Sequence, residues 1–240
     1  MKDIVIFMLM NLMIGAYPLG SQDLAIDKSV IGILKMGDIN MGTAFVCEYQ
    51  NIIVSCRHTF NNVANLSFQT ESGQYKIEVL HIAFEQDFSI LRTLEKLDAD
   101  PISINPSLKE INVNDTISYY GYDSRIMHDL DTIFPVDSGK ATIRSIGKTS
   151  ELKIYELDFI DFYGKGIPGY SGGPVLDNKG NLVGIIYQGY IETSLKSDSD
   201  LIVNKAIIPF NLKEKIDAFK DEISIYENLL NQTKKGNRQK

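Results

Sequence analysis

Ser171 lies in the run Gly169-Tyr170-Ser171-Gly172-Gly173-Pro174. Glycines on both sides let the backbone turn tightly and approach a ligand without Cβ clashes. A serine hydroxyl presented in this way is a candidate nucleophile, provided a base stands beside it. The amides of Gly169 and Ser171 could point together at a developing oxyanion. Such donors are worth about 3 kcal/mol each in transition-state stabilisation. Taken alone, the same six residues also read as a plain glycine-rich turn.

Chain order narrows the chemistry. The run satisfies Gly-x-Ser-x-Gly, the nucleophile elbow of α/β-hydrolases, but those enzymes need a histidine after the serine. The histidines here are His58, His81 and His128, and all precede Ser171. A serine hydrolase built on this chain must therefore run His, Asp, Ser or Asp, His, Ser. His58 closes the segment Gly42-Thr43-Ala44-Phe45-Val46 to Ser55-Cys56-Arg57-His58, which reads as a hairpin whose second strand ends in the histidine. His81 lies inside an alternating strand and His128 in a polar, loop-like stretch. Asp87 directly precedes the apolar run Phe88-Ser89-Ile90-Leu91. A carboxylate there can sit in a dry setting, accept the histidine N–H and stabilise the imidazolium that forms during reaction.

Positioning such residues requires a scaffold, and the texture from Leu24 to Asn204 is that of many short strands. Candidates are Val30–Leu34, Thr43–Glu48, Ile52–Ser55, Asn65–Thr70, Tyr75–His81, Phe88–Leu91, Ile117–Tyr120, Gly139–Ile146, Glu151–Leu157, Leu182–Tyr187 and Ala206–Ile208. They are rich in β-branched and aromatic residues and punctuated by Gly, Asn and Asp. No long helical pattern separates them, which predicts an all-β barrel or a pair of barrels. Asp98–Asn114, with Pro101 and Pro106, is the expected crossover between two halves. At the end, Asn211 and Glu214 have the spacing of a capping pair. Leu212, Ile216, Phe219, Ile223, Tyr226 and Leu230 follow as one apolar helical face, expected to pack back on the barrels.

The pieces together resemble the trypsin-like (chymotrypsin-fold) serine peptidases. The hairpin ending in His58 resembles the one that carries their catalytic histidine, Asp87-Phe88-Ser89-Ile90-Leu91 their aspartate and the strand after it, and Gly169 to Pro174 their nucleophile loop. Leu182-Val183-Gly184-Ile185-Ile186-Tyr187-Gln188-Gly189 is similar to the strand that lines their substrate cleft. The resemblance implies two six-stranded antiparallel β-barrels with a C-terminal helix: residues 22–105, 106–210 and 211–231. It implies a serine endopeptidase with His58, Asp87 and Ser171 catalytic, Gly169 and Ser171 forming the oxyanion hole, no cofactor and a polypeptide substrate. The pocket for the residue before the scissile bond is then bordered by Lys165–Pro168, Ile186–Gly189 and Asn204–Ala206, with Lys165, Ile186, Tyr187, Gln188, Gly189 and Ala206 as its substrate-binding residues. No aspartate suits a basic residue there and no histidine at Ile186 suits a glutamyl one, so an uncharged residue of small or medium size is expected.

Departures from the family point towards bacterial exported members without a PDZ domain. Tyr170 stands where digestive and clotting relatives have the aspartate that receives a newly cut N-terminus, so that activation switch is expected to be absent. Cys56 and Arg57 replace small residues before the histidine.

Composition bounds the rest. A 240-residue chain is normal for one all-β unit of this kind. The formal charge of −7 argues against nucleic acid as main partner. Residues 1–21, with Lys2, the apolar stretch Ile4–Ala16 and small residues after it, read as a signal peptide cut after Ala16, Gly20 or Ser21. The apolar stretch is short for a span of about 20 residues, so a secreted or periplasmic protein without stable membrane insertion is expected. Export would permit a disulfide between Cys47 and Cys56, and two half-buried thiols fit equally well. No Cys/His cluster in the sequence suggests zinc. The rivals to the peptidase reading are a catalytically silent scaffold of the same fold, a serine esterase and a β-rich surface protein with Ser171 in an ordinary turn.

Overall fold

The computed structural model describes residues 26–59, 65–123, 136–151, 155–192, 201–222 and 224–225. The expected leader, His128 and the helix positions Ile223, Tyr226 and Leu230 lie outside these residues.

Ser29 donates its amide to the Asp27 carboxylate at 2.9 Å, capping a 3-10 turn over Lys28–Val30 that feeds the first strand. The strands are β1 (Ile31–Met36), β2 (Ile39–Val46), β3 (Ile52–Cys56), β4 (Leu66–Thr70), β5 (Gly73–Ala83) and β6 (Phe88–Thr93). They close in the order β1-β2-β3-β6-β5-β4. Phe45, Phe68, Ile31, Leu34, Ile90 and Leu91 are fully buried in this half. Closure matters because it leaves no unpaired strand edge.

The second half repeats the plan with β7 (Thr116–Gly121), β8 (Asp137–Glu151), β9 (Tyr155–Tyr163), β10 (Pro174–Leu176), β11 (Leu182–Glu192) and β12 (Leu201–Ile207). It closes as β7-β8-β9-β12-β11-β10. The crossover pairs with both halves: Ile102 bridges Cys47 and Ile104 bridges Leu182, each in parallel. All pairings within the barrels are antiparallel. The all-β, two-barrel architecture with a C-terminal helix is thus the observed one.

Three local expectations change. The strand expected over Glu151–Leu157 straddles a hairpin: β8 ends at Glu151, which pairs with Tyr155 at the start of β9. Composition is similar on both sides of that reversal and gives no signal of it. β10 is an additional strand directly after the Ser171 loop. It is too short for an alternation to show, and it begins at a proline, tolerated at a strand's first residue because that position need not donate. Helix α1 spans Leu212–Ala218, with Asn211 at its N-cap position, but the Asn211 side chain makes no capping hydrogen bond. So short a helix is marginal by itself. Burial of Leu212 and Ile216 holds it, at about 2 kcal/mol for each side chain. Lys213 bonds Glu48 at 2.6 Å and the Phe219 ring faces His81 at 6.4 Å, so the helix docks on the first barrel.

Strand register also separates the cysteines. The Cys47 amide bonds the Ile52 carbonyl at one end of the β2–β3 pair, whereas Cys56 ends β3 at the other. Four residues of strand span about 13 Å, well beyond the roughly 7 Å limit between Cα atoms for a disulfide. Both thiols are free and buried. Burial pushes both well above the usual thiol range, with neighbouring Glu48 and Asp87 adding to Cys47 and Cys56 respectively. Iodoacetamide at pH 8 is therefore expected to leave the native protein unmodified and to alkylate both cysteines after denaturation without reductant. Mass spectrometry of the two samples checks this, and resistance of the unfolded chain would reveal a disulfide instead.

Candidate active site

His58 is placed by register. Cys56 of β3 pairs with Phe88 of β6, so the residues just beyond them, Arg57 and Asp87, also face each other. The Arg57 amide donates to the Asp87 carbonyl at 2.9 Å and the His58 amide to Asp87 Oδ1 at 3.0 Å. Asp87 Oδ2 lies 2.5 Å from His58 Nδ1. One carboxylate thus grips both the backbone and the ring of the histidine. Asp87 is buried, and its backbone is left-handed at φ 47°. Aspartate is among the few non-glycine residues that adopt this region readily, though at a cost of about 1 kcal/mol or more. The charge-assisted bonds to His58 offset that cost.

Ser171 is placed by the loop between β9 and β10. The Tyr170 amide bonds the Ile167 carbonyl at 3.2 Å, closing a turn with Pro168 and Gly169 at its centre. Gly169 has φ 99°, as the third position of a type II turn requires. Gly172, at φ 86°, runs so close to β2 that a Cβ would lie 2.1 Å from the Thr43 carbonyl oxygen. Thr43 fastens this loop to the first barrel. Its amide donates to Ser171 O at 2.9 Å, and its hydroxyl donates to Gly169 O at 2.7 Å while accepting from the Tyr122 amide at 3.0 Å. Among the described residues, the amides of Gly169 and Ser171 have no hydrogen-bond acceptor.

His58 and Ser171 open on one groove of about 420 Å³, walled by Gly166–Pro168 and by Tyr187–Gly189. The Tyr187 ring meets His58 edge-on, with centroids 5.2 Å apart. The Ser171 hydroxyl donates to the Tyr187 carbonyl at 3.2 Å rather than to the imidazole. The two halves of the expected constellation therefore share a cleft, with His58 held by Asp87 and the serine hydroxyl turned to the β11 backbone. Among the expected pocket residues, Tyr187, Gln188 and Gly189 line the groove. Ile186 and Ala206 are buried partners in the β11–β12 ladder. Lys165 turns its ammonium to Asp137, at 2.6 and 2.8 Å.

A donor set of metal-binding type also occurs here, since ligand atoms of Cys56, His58 and Asp87 lie within 4.8 Å of one another. Those donors are engaged elsewhere. The buried Cys56 thiol donates to the Ile186 carbonyl at 3.0 Å, and His58 Nδ1 is held by Asp87. The thiol's upward shift also disfavours the thiolate that a metal would need.

Residues 42–185, more than half of the sequence, match the trypsin-like peptidase domain. The chain belongs to that family. No curated protein matches it. Among solved structures the fold is similar to the Rv3671c protease of M. tuberculosis in its inactive form (TM-score 0.61, 15% identity, 80% of this chain and 89% of that one). It is likewise similar to the HtrA-type protease AlgW with a decapeptide (0.58, 16%, 82% and 65%). The protease domain of MamO from Magnetospirillum magneticum also matches (0.58, 11%, 78% and 95%). At these identities the likeness establishes the fold.

This trypsin-like peptidase domain carries two features that reading the sequence missed. Thr43 stood inside a recognised segment, but nothing in its type announced a clamp. Asp137 gave no signal at all, because its partners are distant in the chain. Its carboxylate accepts from the Tyr170 hydroxyl at 2.6 Å and from Lys165, gripping both ends of the loop that carries Gly169. Tyr170 is buried, and its hydroxyl reaches the Asp137 carboxylate. Burial pulls the Asp137 carboxyl upwards, but the bonds from Lys165, Tyr170 and the Ser138 amide outweigh it and hold the group below its usual value.

Two outcomes follow for this domain. Thr43→Val keeps the shape but leaves the Tyr122 amide and Gly169 carbonyl without their partner. It is expected to lower stability by about 1–3 kcal/mol, measured by urea unfolding, with Thr43→Ser close to wild type. A carboxyl depressed on folding stabilises above its unfolded value, near pH 4, and that stabilisation fades as pH falls through the lower folded value. Asp137→Asn should therefore be less stable than wild type at pH 6, with the gap closing towards pH 3.

Proposed function

We propose that the protein is a serine endopeptidase acting through an acyl-enzyme on Ser171. The observation that carries this reading is the 2.5 Å bond between His58 Nδ1 and Asp87 Oδ2 at the mouth of a groove shared with Ser171. With Nδ1 as donor to the carboxylate, Nε2 is left as the basic nitrogen. Rotation of Ser171 about χ1, between staggered wells, takes its hydroxyl from the Tyr187 carbonyl towards that nitrogen. Oγ then attacks the peptide carbonyl as its proton passes to Nε2. The uncommitted amides of Gly169 and Ser171 receive the oxyanion. The imidazolium gives its proton to the leaving amine, and water, deprotonated by the same ring, releases the acyl group.

The substrate lies extended against Tyr187–Gly189, where backbone hydrogen bonds would provide sequence-independent affinity. The apolar leader expected over residues 1–21 supports an exported enzyme. A second reading, a catalytically silent scaffold, is favoured by one observation: the Ser171 hydroxyl is bonded to Tyr187 rather than His58.

A fluorophosphonate probe separates the two readings. It is expected to label wild type at Ser171 and not Ser171→Ala, and wild type is expected to cleave an unfolded polypeptide. Asp87→Asn should reduce kcat by about 10⁴, the effect of losing the correct histidine tautomer. A wild-type protein that neither labels nor cleaves would establish the scaffold reading.

A further inference from the structure

Asn204 is 1% exposed, yet neither atom of its carboxamide has a hydrogen-bond partner. Buried polar side chains without partners are rare and destabilising, and each calls for an explanation. Asn204 sits in β12, opposite Gly189 of β11 and Phe162 of β9. Its neighbours are the backbones of three glycines. A Cβ on Gly164 would lie 2.3 Å from Nδ2, and a Cβ on either Gly166 or Gly189 would lie 3.4 Å from Oδ1. Gly166 and Gly189 are also walls of the groove that holds His58 and Ser171. The unpaired amide therefore lies directly behind the place where a substrate side chain would enter.

We propose that Asn204 determines specificity, and that it selects Ser, Thr, Asn or Gln as the residue whose carbonyl Ser171 attacks. This rests on the peptidase reading above. A carboxamide can turn to present its donor or its acceptor, and hydroxyls and carboxamides complement both ends. Charged side chains fit poorly. An ammonium would be buried without a counter-charge, because Asp137 already holds Lys165 and Tyr170. Asp161, next in β9 to the residue opposite Asn204, faces the other side of the sheet, where it meets Ser145. A carboxylate would be buried against a single neutral donor, too little to offset its desolvation. Bulk is restricted too, since a Cβ on Gly189 would lie 3.1 Å from the Gly166 Cα. An apolar side chain of the right size would enter but would leave the amide unpaired.

The test uses the full chain and peptide aldehydes differing only at the residue that enters the pocket, as the near-isosteric pairs Thr/Val and Asn/Leu. The polar member of each pair is expected to inhibit at about tenfold lower concentration or better, since a site built to hydrogen-bond its ligand rejects the analogue that lacks the group. Cleavage of a proteome-derived peptide library should show the same preference. Asn204→Leu should abolish or reverse it while Ser171 still reacts with the fluorophosphonate. Because that variant can fail to fold, the wild-type pairs decide alone. Wild type that labels at Ser171 but favours the apolar members, or neither, overturns the role of Asn204 and leaves the peptidase reading standing. Wild type that neither labels nor cleaves removes both.

Discussion

Thr43 is a residue of the first barrel that holds the serine loop of the second. Its amide, hydroxyl and carbonyl are all engaged within the interface: the first two with Ser171 and Gly169, the carbonyl with the Ser55 hydroxyl at 2.7 Å. Because β2 also pairs with β3, which ends at Cys56 and leads into the 3-10 turn Arg57–Thr59 that carries His58, the position of Ser171 relative to His58 is set through three hydrogen bonds and one strand pairing. Close approach is a condition of that arrangement. A Cβ on Gly42 would stand 2.8 Å from the Ser171 carbonyl oxygen, so a glycine is needed beside the clamp. Hydrogen bonds between buried groups in a low-dielectric interface are strong and costly to break, which makes the junction between barrels a well-defined place for chemistry.

Around that junction each barrel contributes a different kind of order. The first supplies a carboxylate-bonded, backbone-gripped histidine whose position follows from the β3–β6 register. The second supplies a loop with three glycines at or next to the serine and its ends tied down by Asp137. The Asp137 interaction joins β8 to Tyr170, the residue directly before the serine. The negative charge lies on β8, and the loop hydroxyl is the donor. The turn that carries Gly169 is thereby tethered on both sides, through Lys165 and Tyr170.

The groove beyond the serine is lined by β11 and backed by β12. β11 lines the groove with Tyr187–Gly189, while Asn204 of β12 lies buried against the backbones of Gly164, Gly166 and Gly189. Polar groups in that second layer are expensive to bury without partners, so a ligand that pairs them gains what the empty site forfeits.

Much was legible in the sequence by itself. Alternating β-branched runs, glycine-marked turns and the order of histidine, aspartate and serine pointed to a two-barrel peptidase and singled out His58, Asp87 and Ser171, because local composition and motif order carry that information. Glycines at 169 and 172 were readable for the same reason, since a backbone conformation closed to other residues leaves a mark in residue type. What the tertiary structure decided involves contacts between distant segments. These are the clamp by Thr43, the tether by Asp137, the separation of Cys47 from Cys56, the rotation of the Ser171 hydroxyl to Tyr187 and the unpaired burial of Asn204. Threonine, aspartate and asparagine look the same in a sequence whether they face water or a buried partner. Only the strand register and the packing of one barrel against the other determine which.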